Sequence, residues 1–120
     1  MHGSLIAAWY EGGDRLAYMI NENRIQELKD EVGEDDLEEV IALFCEEVEE
    51  VLETLDATPP DAMAAQLHFL KGSALNIGLE AVSDLCRAEE LALKSDPTRA
   101  TDIAGIRTIY AQSKGVLLAR

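Results

Sequence analysis

From Leu37 to Leu55 the apolar residues Leu37, Ile41, Phe44, Val48, Val51 and Leu55 recur in alternating steps of four and three. A helix places such a set on one side, whereas a strand would need a period of two. Val40 and Leu52 widen the seam into a stripe. The segment from about Asp35 to Leu55 is therefore a long helix with one face in a core, and the glutamates on its other face read as a solvated surface. One helix cannot bury that stripe by itself, so the rest of the chain must supply partners.

The partners are helical too. In "NENRIQELKDEVG", Asn23 is a candidate N-cap, Ile25, Leu28 and Val32 share a face, and Gly33 is a stop. After Leu55, "TPP" breaks the chain and Pro60 is placed to open a helix at its first turn. That helix carries Met63, Leu67, Leu70, Ala74 and Ile77 inward and ends at Gly78. The next runs from about Glu80 to Lys94, with Val82, Leu85, Cys86 and Leu93 inward. "SDP" stops it, and Asp96-Pro97 reads as the cap and start of a last helix bearing Ile103, Ile106, Tyr110, Ser113 and Leu117.

No alternating strand pattern competes with these. Four successive amphipathic helices with short breaks predict an all-α fold, an antiparallel four-helix bundle running up-down-up-down, with one or two short additional N-terminal helices. Residues 1–22 are expected to be an N-terminal extension or short helix that packs on the bundle of residues 23–120. Its aromatic cluster, Trp9, Tyr10 and Tyr18, reads as packing over apolar surface, interrupted at Gly12-Gly13, with partner binding as the weaker alternative.

The net charge of −14 narrows the partners. It excludes nucleic acid, whose phosphates attract basic surfaces, and it disfavours anionic membranes. "LIAAWY" is too short for a membrane span or a signal-peptide core. Cys45 and Cys86 lack metal or redox spacing and read as reduced, partly buried thiols, which points to a cytoplasmic protein.

One stretch does not serve helix stability. In "QLHFLKGSALNIG", residues 66–78, Gly72 costs roughly 1 kcal/mol relative to alanine. At about 100° per residue, His68 lies about 140° from the middle of the buried stripe, toward solvent. Around it on that face stand Ala64, Ala65, Lys71, Gly72 and Leu75. The result is a flat, dockable patch with a nucleophile at its centre. No lysine or arginine occurs between Lys29 and Lys71, so the first cation after an acidic span stands one turn from the imidazole. A lone lysine is ordinarily just solvated. Beside an outward histidine and a helix glycine, it is placed to stabilise an anion on the ring, and a phosphoryl group is the natural candidate.

The run "LHFLKGSALNIGLEAVSDLCRAEEL" resembles the histidine-containing phosphotransfer (HPt) domain of bacterial multistep phosphorelays. The shared features are H-x-L-K-G-S, a glycine six residues beyond the motif's own, and an "LC…E" helix. The upstream "LKDEVGEDDLEEVIALFCEEVEEVLETL" is similar to the family's preceding helices, so the resemblance spans about residues 24 to 118. It implies that His68 is the phosphoryl acceptor and donor, that Lys71 helps hold the phosphoryl oxygens, and that Gly72 leaves room for the partner. Ser73 matches the motif but faces partly inward. Phe69 departs from a position often held by a smaller or polar residue, and could tune which partner fits.

The resemblance implies a shuttle that takes a phosphoryl group from a receiver-domain aspartate and passes it to another receiver. The partners would be receivers of response regulators and of a hybrid sensor histidine kinase. Histidine's ordinary pKa of about 6.5 leaves an exposed ring mostly neutral and nucleophilic near pH 7. No cofactor or metal is expected on this chain, and Mg2+ would come with the receiver. An autokinase would need a nucleotide cradle; "EGGD" is too short and too acidic for one. His2 and His68 are the only histidines, which leaves metal-dependent hydrolysis poorly supported. The alternative is a scaffold or inhibitor bundle that binds a kinase or receiver through the His68 face without carrying phosphate. The lack of a linker at either end predicts a free-standing shuttle.

Overall fold

Three backbone breaks, at Gly33, Pro59 and Gly78, divide most of the chain into helices. In the computed structural model, which describes residues 19–120, these are α1 (Glu22–Val32), α2 (Glu34–Thr54), α3 (Pro60–Asn76), α4 (Glu80–Ser95) and α5 (Ile103–Leu118). A 3-10 turn, Leu55–Ala57, links α2 to the diproline. Pro59 is extended (ψ 150°) and Pro60 opens α3, where a missing N–H costs nothing. Glu34, Asp35 and Asp36 fill the first turn of α2 and complement its dipole.

Helices α2, α3, α4 and α5 form the bundle. Each packs on its neighbour in sequence, α5 closes back on α2, and α3 with α4 makes the tightest pair. The stripes meet in one core in which Val48, Leu55, Leu67, Leu70, Ile77, Ile106 and Ile109 have no exposed surface. Each such side chain contributes about 1.5–3 kcal/mol by leaving water. Cys45 and Cys86 are both free and fully within this core. Burial, reinforced by the nearby Glu89 and Glu90, pushes the Cys86 thiol up to about 12, which keeps it an inert packing residue.

The two helix starts differ from those expected. Asn21, not Asn23, caps α1: its side chain accepts from the Arg24 N–H at 3.1 Å, while its own N–H donates to the Gly78 carbonyl at 2.8 Å. Anchoring to the α3–α4 turn decides between the two asparagines, and propensity could not show that anchor. The last helix starts at Ile103 rather than after Asp96-Pro97. Asp96 instead accepts from the Thr98 N–H and hydroxyl, making a local turn, and Asp102 caps α5 by accepting from Gly105 N–H at 3.0 Å.

Between those residues the loop is stapled to α4. Glu89, 1% exposed, accepts two bonds from Arg99 (3.0 and 3.2 Å) and one from the Asp102 N–H. A second polar lock joins α2 to α5. Glu49 accepts from the Tyr110 hydroxyl at 2.6 Å and from Lys114 at 2.5 Å. Burial and the Glu49 bond push the Tyr110 hydroxyl far above its ordinary value. Thus Glu49 is a helix-to-helix tie, where a solvated face had been expected.

Short α1 packs on α2 and on the α3–α4 turn, with Ile25 and Leu28 buried. Arg24 Nε donates to the Asn76 carbonyl at 3.0 Å, Ile20 bridges to Leu79, and Arg120 reaches Glu22 at 2.6 Å. Trp9, Tyr10, Tyr18 and Gly12-Gly13 lie outside the described residues. The focus of this end is Gly78, whose φ of +72° sits in the left-handed region. A Cβ there would meet the Asn21 carbonyl oxygen at 3.0 Å and Ile25 Cδ1 at 3.1 Å. Gly78→Ala should therefore lower stability by about 1–3 kcal/mol, read in a urea or thermal melt. An unchanged melt would mean that the α1 clasp on this turn is not formed in solution.

Candidate functional site

Helix α3 turns two faces in opposite directions. Met63, Leu67, Leu70, Ser73 and Ala74 are buried, whereas Ala64, Ala65, His68, Phe69, Gly72 and Leu75 are exposed. His68 points outward with 68% of its side chain accessible, as the helical arithmetic required. Phe69 and Leu75, 45% and 46% exposed, add two large apolar side chains to the exposed side of α3 that carries the histidine. Gly72 is also open: an added Cβ would find no heavy atom within 4 Å. Among the described residues, nothing asks for glycine there.

The histidine has a neighbour that sequence reasoning missed. Glu90, on α4, places Oε2 at 3.3 Å from His68 Nδ1 and Oε1 at 3.2 Å from Lys71 Nζ. One carboxylate thus holds both residues across the α3–α4 groove. Lys71 is less exposed than a surface lysine, with 23% of its side chain accessible, because it reaches over the groove rather than into water. Partial burial would raise the Glu90 carboxyl. The hydrogen bond and charge of Lys71, helped by His68, outweigh that and hold it below its ordinary value. A signal was present in the sequence. In an antiparallel pair, residues equidistant from the turn face each other, and His68 and Glu90 lie almost symmetrically about Gly78.

The geometry also selects a ring nitrogen. A carboxylate can only accept, so the 3.3 Å approach of Glu90 to Nδ1 favours the neutral tautomer with its proton on Nδ1, which leaves the lone pair on Nε2. The arrangement can therefore present a nucleophilic nitrogen, with an ammonium one helical turn away. Among the described residues, no three His, Cys, Asp or Glu side chains converge to hold a metal ion. No described helix is long and apolar enough to cross a membrane.

Residues 39–115 match the family model for the Hpt domain. The match covers well over half of the chain, runs from within α2 to within α5, and includes His68, Lys71, Gly72 and Glu90. No curated protein and no solved structure matches the chain.

Proposed function

The chain belongs to the Hpt family, whose domains carry out phosphotransfer in phosphorelays, and we propose that it is a shuttle with His68 as its phosphoryl carrier. The outward His68 held at Nδ1 by Glu90 carries this reading. Nε2 attacks the phosphorus of a receiver's aspartyl phosphate in line. The bond from phosphorus to the aspartate oxygen breaks, and that oxygen leaves as carboxylate. The Nδ1 proton remains on the ring, where Glu90 stabilises the positive charge that grows as the new N–P bond forms. A second receiver aspartate reverses the step.

Hpt domains act with receiver domains, and the shuttle reading takes one receiver from a hybrid sensor kinase and another from a response regulator. Mg2+ is assigned to the receiver, since the phosphoryl charge must be offset and Glu90 is a single carboxylate with no metal-holding cluster around it among the described residues. Ala64, Ala65, Gly72 and Leu75 form the docking floor, and residues 23–120 act as the working unit, in the cytoplasm. The test is direct. Incubation with a phosphorylated receiver should give the native protein an acid-labile, alkali-stable label, whereas binding without label would favour a scaffold or inhibitor.

Lys71 serves the transferred group in this reading by moving from Glu90 to the phosphoryl oxygens. Lys71→Ala should leave the fold intact and slow transfer by roughly tenfold to a hundredfold, since a charge-assisted hydrogen bond is worth about 1–3 kcal/mol. Lys71→Arg should rescue only in part, because a planar fork differs in reach from an ammonium. Transfer at the native rate in the alanine variant would reduce Lys71 to a structural tether for Glu90.

A further inference from the structure

In a chain with 24 acidic and 10 basic residues, a cation without a carboxylate partner is scarce. Among the described residues, every lysine and arginine but two has a carboxylate oxygen within 3.6 Å. The two are Arg87 and Lys94, both exposed. They sit three residues before and four after Glu90, on the same flank of α4. That flank faces the His68 side of α3, because Glu90 reaches His68 and Lys71 from it. Helix α3 adds no opposing charge, for no Asp or Glu occurs between Asp61 and Glu80. Before transfer, Glu90 is paired with Lys71. On α4 itself Asp84 stands three residues before Arg87, so Lys71, Arg87 and Lys94 face Asp84 and Glu90, and a protein of net charge −14 keeps a small local excess of positive charge beside its candidate phosphoryl carrier.

We propose that Arg87 and Lys94 form an electrostatic rim that selects receivers with an acidic surface beside the phosphoaspartate and orients them over α4. The proposal rests on the shuttle reading and deepens it. A receiver site that holds Mg2+ beside an acyl phosphate must supply carboxylates of its own. Such a surface is repelled by most of this protein and accepted beside Arg87 and Lys94. Among the described residues, neither cation has a carboxylate partner to leave when the receiver arrives. Exposed rim charges act mainly on encounter rate and orientation, and their effect is screened by salt.

The experiment measures transfer from a phosphorylated receiver domain to the full chain over a range of receiver concentrations and ionic strengths. The native protein is compared with Arg87→Glu/Lys94→Glu and with the charge-retaining Arg87→Lys/Lys94→Arg. At low salt the charge-reversed protein should lose about tenfold to a thousandfold in kcat/KM, chiefly through KM. The gap should close as ionic strength approaches about 1 M, where the screening length falls to about 3 Å. The charge-retaining protein should keep the native salt dependence. Native kcat/KM in the reversed protein at low salt would overturn the rim, as would a loss that persists undiminished at high salt. If the native protein itself takes no phosphate from any receiver, and phosphoramidate leaves it unlabelled, the shuttle reading fails and takes the rim with it.

Discussion

His68→Gln is expected to abolish the acid-labile label entirely while leaving helicity and the thermal melt essentially native. The two halves of this outcome have separate causes. Glutamine offers no ring nitrogen that can form a phosphoramidate, so transfer has no acceptor, and a change of many orders of magnitude follows. The fold does not depend on the imidazole, which is 68% exposed. Substitutions at such positions usually change stability by no more than about 0.5 kcal/mol. The glutamine amide can still donate to Glu90, so the half-buried carboxylate is not left with Lys71 alone. Label retained in this variant would place the carrier elsewhere, with His2 the first candidate. A collapsed melt would show that the contact with Glu90 supports the α3–α4 pair, and loss of label would then say nothing about chemistry.

Much of the bundle is legible from period alone. The seam from Leu37 to Leu55 and the sets built on Leu67, Leu85 and Ile106 each report a helix face directly, because burial in a bundle follows the 3.6-residue repeat. Direction out of the core is legible for the same reason, so His68 and Gly72 could be placed in solvent before any packing was known. Partners across the groove are another matter. Glu90 looked like one glutamate among many until antiparallel pairing set it opposite His68. Local propensity also could not choose Asn21 over Asn23, since the choice depends on the Gly78 carbonyl far along the chain. Glu49 and Glu89 show the same limit. Glu49 reads as surface charge and Glu89 carries no periodic signal of its own, yet one ties α2 to α5 and the other pins the loop before α5. Period reveals which residues leave water, and only the assembled helices reveal which polar groups meet.

Gly72 separates stability from docking, because the two predict opposite signs. An alanine Cβ at this position would meet nothing within 4 Å, so the native packing loses nothing when one is added. Helix propensity then favours Gly72→Ala by up to roughly 1 kcal/mol. Gly72→Gln should likewise melt at or above the native temperature, since glutamine is also a good helix former and the site is open. Function should move the other way. Position 72 lies four residues beyond His68 on the same face, so a glutamine side chain projects over the patch on which a receiver must settle. In-line transfer needs the reacting atoms close to contact distance, and a displacement of about 1 Å can cost a hundredfold in rate. Transfer from a receiver should therefore fall at least about a hundredfold, while phosphoramidate, which needs no docking surface, should still label His68. The pair of measurements admits two contrary outcomes. If Gly72→Gln melts higher and still exchanges phosphate with receivers at the native rate, the glycine has no part in docking. If it melts well below the native protein, α3 makes a contact at this face that excludes a side chain, and the solvent-facing patch around His68 is not the docking surface.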